Sequence, residues 1–188
     1  YEDDVLLVVD KPADILVHGD GTGTQTLTDL VANHLAATGR PDARPQAVQR
    51  LDVGTSGLVL FSLDKATQPA LDAQVAGHAM AKRYLAVVQG RFPSGEKVIE
   101  QPLGRDRHDA RRMRVCAPGR GKSALTRVRR LACASGRSLL AVELGSGRKH
   151  QIRVHLAHLG FPIVGDTLYN GARSASGLLL HAFEEELE

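Results

Sequence analysis

Cysteine is scarce in this chain of 188 residues: Cys116 and Cys133 are the two present, and they form neither a CxxC pair nor a zinc-type spacing. Both are expected to be reduced, which suits a cytoplasmic protein. Apolar runs are short, reaching five residues at Val5 to Val9, against the ~20 that a membrane-crossing helix needs. The chain opens Tyr-Glu-Asp-Asp rather than with a basic and then apolar leader, so no secretory signal is expected. It also has no initiator methionine, which leaves room for a preceding segment. Several chemistries lack their spacing. There is no HExxH, and no carboxylate or cysteine at ligand spacing from His150, His155, His158 and His181, so no metal is expected. His155 and His158 share a helical face, where helix packing and RNA contact are the expected roles. No Gly-x-Ser-x-Gly elbow supports a serine hydrolase. Gly121-Lys122-Ser123 is not a phosphate-binding loop, because Cys116 stands where the first glycine belongs. Gly19, Gly21 and Gly23 alternate without a dinucleotide fingerprint and read as a loop.

What is present is an ordinary globular composition, 43% hydrophobic and 24% charged, with length for one domain or for two small lobes sharing a cleft. The charge is unevenly spread. Residues 101–137 hold eleven Lys or Arg against Asp106 and Asp109, a local +9 that leaves −6 for the rest of a chain whose net charge is +3. Like charges so concentrated point to a polyanionic partner, of which nucleic acid is the commonest. Arg111, Arg112 and Arg114 lie at the centre of that window.

The periodicity predicts interleaved strands and helices without a βαβ rhythm, hence an α+β fold with a mixed or antiparallel sheet. Val5–Val9 reads as a strand ended by Lys11-Pro12. Leu27 to Leu35 has helical spacing, with Thr26 and Asp29 as a capping box and Gly39 and Pro41 as the stop. Gly57–Leu63 is a strand, Asp64 is the expected N-cap of a helix running to about Ala76 and stopped by Gly77, and Lys82–Gln89 is a strand. Residues 123–130 fit both periods, 139–144 a strand, and 149–159 a helix closed by Gly160. Arg148, Lys149, His150 and Arg153 crowd the start of that last helix against its dipole, which an anionic ligand there would relieve.

One stretch raises a sharper question. In "QRLDVGTSG", residues 49–57, Asp52 stands at the mouth of a small-residue turn with the apolar run Leu58-Val59-Leu60-Phe61 behind it. A buried strand makes a rigid platform, and glycines allow close approach, so the arrangement can present a reactive carboxylate. Four stretches in order, "VLLVVDKPADILVHGD", "RLDVGTSGLVLF", "KRYLAVVQG" and "GRKHQIRVHLAHLGFPIVGDTLY", together with a closing "LLLHA", resemble the RluA-type pseudouridine synthases over nearly the whole chain.

The resemblance implies a pseudouridine synthase catalytic fold over residues 1–188: a mixed, mostly antiparallel central sheet with flanking helices and a basic active-site cleft. It implies isomerisation of uridine in RNA to its C-glycoside, with Asp52 as the essential carboxylate, Tyr84 stacking on the target base, and Arg153 pairing with the aspartate. Arg50 would fill the space left by the flipped nucleotide, while Arg148, Lys149, His150, Arg111, Arg112 and Arg114 would contact RNA. Gln49 stands where the family usually carries histidine, and Lys149 where threonine is more usual.

The reaction breaks the N1–C1′ bond, turns the uracil and joins C5 to C1′. Nothing is oxidised, so no cofactor is expected. A carboxylate could attack C1′ or remove the 2′ proton to give a glycal, and both routes stay open. The expected partner is a structured RNA, ribosomal or transfer, recognised as a stem-loop by the catalytic domain, since no S4-type RNA-binding domain is visible in the sequence. A monomer is expected. The competing reading is a non-catalytic RNA-binding module on the same scaffold.

Overall fold

The structure, a computed structural model, describes residues 1–77 and 80–187. The chain divides into two compact units, Tyr1–Met80 with Glu186–Glu188, and Ala81–Glu185.

The first unit contains β1 (Leu6–Lys11), α1 (Leu27–Ala37), β2 (Gln46–Ala47), β3 (Ser56–Ser62) and α2 (Gln68–Ala76). β1 runs antiparallel to β3 from Leu6 opposite Ser62 to Lys11 opposite Gly57, and β2 adds a short antiparallel rung at Ser62 and Phe61. Val59, Leu60 and Phe61 are all buried, as a continuous apolar run covered on both faces should be. Val48, Leu60, Leu71 and Met80 form a core cluster against which Leu6, Val8 and Val75 pack. The capping box of α1 is present: the Asp29 amide donates to Thr26 Oγ1 at 3.2 Å, and the Thr26 amide to Asp29 Oδ2 at 2.9 Å. Leu27, Val31 and Leu35 face inward from this helix.

α2 ends at Gly77 as the sequence predicts, but its N-cap is Thr67 rather than Asp64. Pro69 is the reason. A start at Asp64 would place its ring in the helix interior, against the carbonyl four residues back, whereas a start at Gln68 keeps it in the first turn. Asp64 instead caps the preceding turn, accepting from the amides of Ala66 and Thr67 at 3.1 Å each.

The second unit is built from β4 (Ala81–Gln89), β5 (Glu96–Ile99), β6 (Leu103–Arg105), β7 (Met113–Val115), β8 (Thr126–Ala134), β9 (Arg137–Leu144), α3 (Gln151–His158) and β10 (Leu180–Glu186). Its sheet has the order β10-β4-β9-β8-β5, and β6 with β7 makes a separate two-stranded ribbon. Every ladder whose register is described is antiparallel, so the α+β reading holds. The ambiguous 123–130 segment resolves as strand from Thr126 onward: Thr126 and Val128 are buried while Arg127 and Arg129 are exposed, the alternation of a half-covered sheet. β8 turns into β9 through Ser135 and Gly136, both at positive φ (50° and 69°), as a primed two-residue hairpin requires. Among the described residues no helix is long and apolar enough to cross a membrane.

The basic window is divided among several elements. Arg105, Arg107, Arg111, Arg112 and Arg114 belong to the β6–β7 hairpin, whereas Arg127 and Arg129 lie on β8. Those two sit in register with Glu143 and Glu96, and Arg127 approaches Glu96 at 3.6 Å. Cross-strand pairing with acids from other parts of the chain therefore accounts for part of the local +9.

Candidate active site

Asp52 lies in the loop that leads into β3 and is partly buried, while its neighbours Arg50 and Val53 are exposed. Three local features hold this loop. The Thr55 amide donates to the Asp52 carbonyl at 3.0 Å, closing a turn. The Asp14 amide donates to the Val53 carbonyl at 2.8 Å, tying the loop to the segment after β1. Lys11, 0% exposed, donates from Nζ to the carbonyls of Pro12 and Ile15 at 2.9 Å and of Val53 at 3.0 Å. An ammonium has three hydrogens, and here all three meet oxygen. Burial pulls Lys11 down to about 8, while the charges of Asp14 and Asp52 oppose that fall. The β1–β3 register sets Lys11 opposite Gly57, whose φ of 115° favours a residue without a side chain. Lys11 ties the end of β1 to the loop that carries Asp52, a contact that periodicity does not expose. Its only signal was an odd lysine at the end of an apolar strand.

Arg50 projects into solvent near His18, which burial and the Arg50 charge together push below the usual histidine range. Gln49, in the place of the family's usual histidine, is buried at 8% exposure.

In the second unit, Tyr84 sits in β4 opposite Val142 of β9 and is 6% exposed. Arg153 lies in the first turn of α3. Its Nε donates to Asp166 Oδ2 at 2.8 Å and its second terminal nitrogen to Oδ1 at 2.9 Å, a two-pronged grip on a carboxylate only 1% exposed. Asp166 also caps the 3-10 turn Thr167–Tyr169, accepting from the Tyr169 amide. Glycine is needed beside it: a Cβ on Gly165, at φ 86°, would meet the Gly177 carbonyl oxygen at 1.7 Å. The negative charge that the sequence reading sought from an outside ligand is thus supplied to Arg153 from within the chain.

The other residues expected at this helix start are spread over the approach to it. α3 begins at Gln151, and His150 precedes it in a left-handed conformation with φ 56°. Gln151 provides the local capping, its Oε1 accepting from Ser146 Oγ at 2.9 Å and from the Arg148 amide at 3.0 Å. Arg148 turns its Nε to the Ser123 carbonyl at 3.0 Å, Lys149 is exposed, and His150 Nδ1 lies 2.8 Å from the Tyr169 hydroxyl.

On the β6–β7 hairpin, Arg111 is held by Asp109, whose carboxyl those hydrogen bonds pull down to about 2. Arg112 stacks over the Tyr169 ring with Cζ 5.3 Å from the centroid, and Arg114 is exposed. His155 is wholly buried, bridging Thr126 Oγ1 and the Gln101 carbonyl at 2.9 Å each, which is the helix-packing role expected of it. Among the described residues no group of three or more His, Cys, Asp or Glu is placed to hold a metal.

Comparison with known proteins sets this arrangement in a family. The profile described as RNA pseudouridylate synthase matches residues 5–158. An uncharacterized RNA pseudouridine synthase of Bacillus subtilis is 38% identical over 174 residues, covering 91% of this chain and 57% of its own length. Ribosomal large subunit pseudouridine synthase D of Zymomonas mobilis is 36% identical over 187 residues, covering 97% and 58%. The human RNA pseudouridylate synthase domain containing 1 superposes with a TM-score of 0.81 at 25% identity, covering 98% of this chain and 76% of that one. The chain spans 57–60% of the length of the first curated relatives it matches. On the matched profile, the identity to these relatives and the order of its motifs, the chain belongs to the RNA pseudouridylate synthase family, in its RluA-type branch.

Proposed function

We propose that this chain carries the isomerase activity of its family, converting uridine to pseudouridine in structured RNA, with large-subunit ribosomal RNA the substrate class favoured by its relatives' names. The observation that carries the reading is the way Asp52 is presented. It sits in a loop clamped by Lys11, Asp14 and Thr55 at the head of a buried strand. Such a loop loses little entropy when a ribose is brought against the carboxylate.

Asp52 is the group that acts on the sugar, as nucleophile at C1′ or as base at the 2′ carbon. Both routes need an anion in a site that excludes water. A guanidinium favours that anion because it stays charged at every working pH, and the resemblance assigns the task to Arg153. The proton lost from C5 is balanced by the one gained at N1, so the sum of the reaction is isomerisation. The resemblance assigns Tyr84, 6% exposed, to stacking on a base drawn out of the RNA. Extrusion costs a few kcal/mol, and stacking on an aromatic ring returns roughly 1–3 kcal/mol. Arg50 fills the vacated space, and phosphates are held by Arg111, Arg112, Arg114, Arg148, Lys149 and His150.

The test is Asp52→Asn on unmodified ribosomal and transfer RNA, with pseudouridine counted by mapping. The expected result is turnover lowered by on the order of 10⁴-fold with RNA affinity within a few-fold of wild type. An Asn variant of comparable rate removes the assignment. Binding with no isomer formed by the wild-type chain makes it an RNA-binding module instead.

A further inference from the structure

One side chain in the second unit touches both the basic hairpin and the arginine of α3. Tyr169 is 3% exposed in the 3-10 turn that Asp166 caps. Its hydroxyl accepts from the Met113 amide of β7 at 2.7 Å and lies 2.8 Å from His150 Nδ1. The Met113 bond occupies a lone pair on that oxygen, and the hydroxyl shares a second hydrogen bond with the imidazole, whose donor is set by the imidazole tautomer. The two rings stand edge to face, with centroids 5.6 Å apart. The Tyr169 ring also faces two guanidiniums, Arg153 with Cζ 5.1 Å from the centroid and Arg112 at 5.3 Å. Arg153 is therefore fixed twice, by Asp166 along its nitrogens and by Tyr169 against its face. Arg112 has its Nε enclosed without a hydrogen-bond partner, so the ring face orients it.

We propose that Tyr169 is a positioning residue for the reaction above, its hydroxyl setting the β6–β7 hairpin for RNA and its ring setting Arg153 for turnover. The proposal rests on the isomerase reading. Core filling explains only part of the geometry. Tyr169 packs in an apolar cluster with Leu103, Ala124 and Val154, where a phenyl or isobutyl group would also fit. That cluster gives no reason for a hydroxyl shared by the hairpin backbone and His150, nor for a ring beside two arginines. Hydrogen bonds to the hydroxyl and cation–ring contacts shielded from water hold a short ribbon and a guanidinium in one geometry.

The experiment compares wild type, Tyr169→Phe and Tyr169→Leu on an unmodified large-subunit ribosomal RNA transcript. Single-turnover rate at saturating RNA is measured separately from the dissociation constant, and Met113 amide exchange is followed by NMR. Tyr169→Phe keeps the ring and loses the hydroxyl. It is expected to weaken RNA binding about fivefold with a smaller change in saturated rate, and to speed exchange at Met113. Tyr169→Leu removes the ring and is expected to lower the saturated rate on the order of tenfold or more. Unchanged affinity in Tyr169→Phe overturns the proposal. So does a parallel drift of affinity, rate and melting temperature in both variants, which marks a scaffold role. Should Tyr169→Leu not fold, the Tyr169→Phe comparison decides alone. A wild-type chain that makes no pseudouridine refutes the isomerase reading instead, while affinity and Met113 exchange still judge the hairpin half.

Discussion

Arg153 and Asp166 meet through two parallel hydrogen bonds of 2.8 and 2.9 Å, with the carboxylate 1% exposed and the guanidinium 11%. Both charges are largely out of water. Asp166→Ala withdraws this carboxylate from a nearly buried cation and removes the cap of the 3-10 turn that carries Tyr169. It is expected to destabilise the chain by about 3–5 kcal/mol, read from urea midpoints. Asp166→Asn keeps one acceptor and is expected to cost less. Equal stability of Asp166→Ala and wild type would mean that the pair does not persist in solution.

Lys11→Met tests the clamp on the Asp52 loop. Methionine matches the stem but leaves the carbonyls of Pro12, Ile15 and Val53 without their donor. The expected loss is about 3 kcal/mol together with a fall in turnover. Exchange of the Asp14 amide, bonded to the Val53 carbonyl, should quicken with it. Slow exchange at Asp14 in this variant would show that the loop is held by other means.

His155 sets an acid limit. Burial lowers its affinity for a proton, the Gln101 carbonyl opposes that shift, and the His158 charge adds to it. The unfolded chain therefore binds the proton first, at the ordinary value of 6.5, and the folded chain only at lower pH. Its contribution to stability is complete above 6.5 and declines as the pH falls from there toward the folded value. His155→Gln cannot titrate and should flatten this part of the profile. The check is a series of urea midpoints from pH 8 to pH 5, pH values chosen about the histidine range.

The hairpin arginines should separate by their partners. Arg114 is exposed, so Arg114→Ala is expected to reduce the slope of log affinity against log salt by about 0.7–0.9. Arg111 is already gripped by Asp109. Arg111→Ala should therefore do less, and Asp109→Asn, which releases Arg111, should tighten binding to the ribosomal RNA transcript. Weaker binding by Asp109→Asn would assign that carboxylate to shaping the hairpin rather than to restraining the charge.

Local signals carried much of this reading. The α1 capping box, the β1 and β3 runs and the glycine after α2 each depend on neighbours within a few residues, and they lie where the sequence places them. The role assigned to Asp52 comes from the resemblance of its motif, since its small-residue turn alone is also how an ordinary turn looks. The partners around Arg153 were not legible. Asp166 lies 13 residues away, and the Met113–Tyr169 bond spans 56, separations that no periodicity records. The start of α3 was misplaced for a related reason. Arg148 and Lys149 suit a helix by propensity, but His150 takes a left-handed turn with its ring against Tyr169.

The enclosure of Lys11 also gives the first unit a chemical clock. Lys65, Lys97, Lys122 and Lys149 are exposed, and an amine-acylating reagent will modify them at once. Lys11, with no accessible surface, can be acylated only during moments when the strand end and the Asp52 loop part from one another. The rate at which that single lysine takes up label, followed by mass spectrometry of the peptide containing it, therefore measures how often the carboxylate's own cradle comes apart.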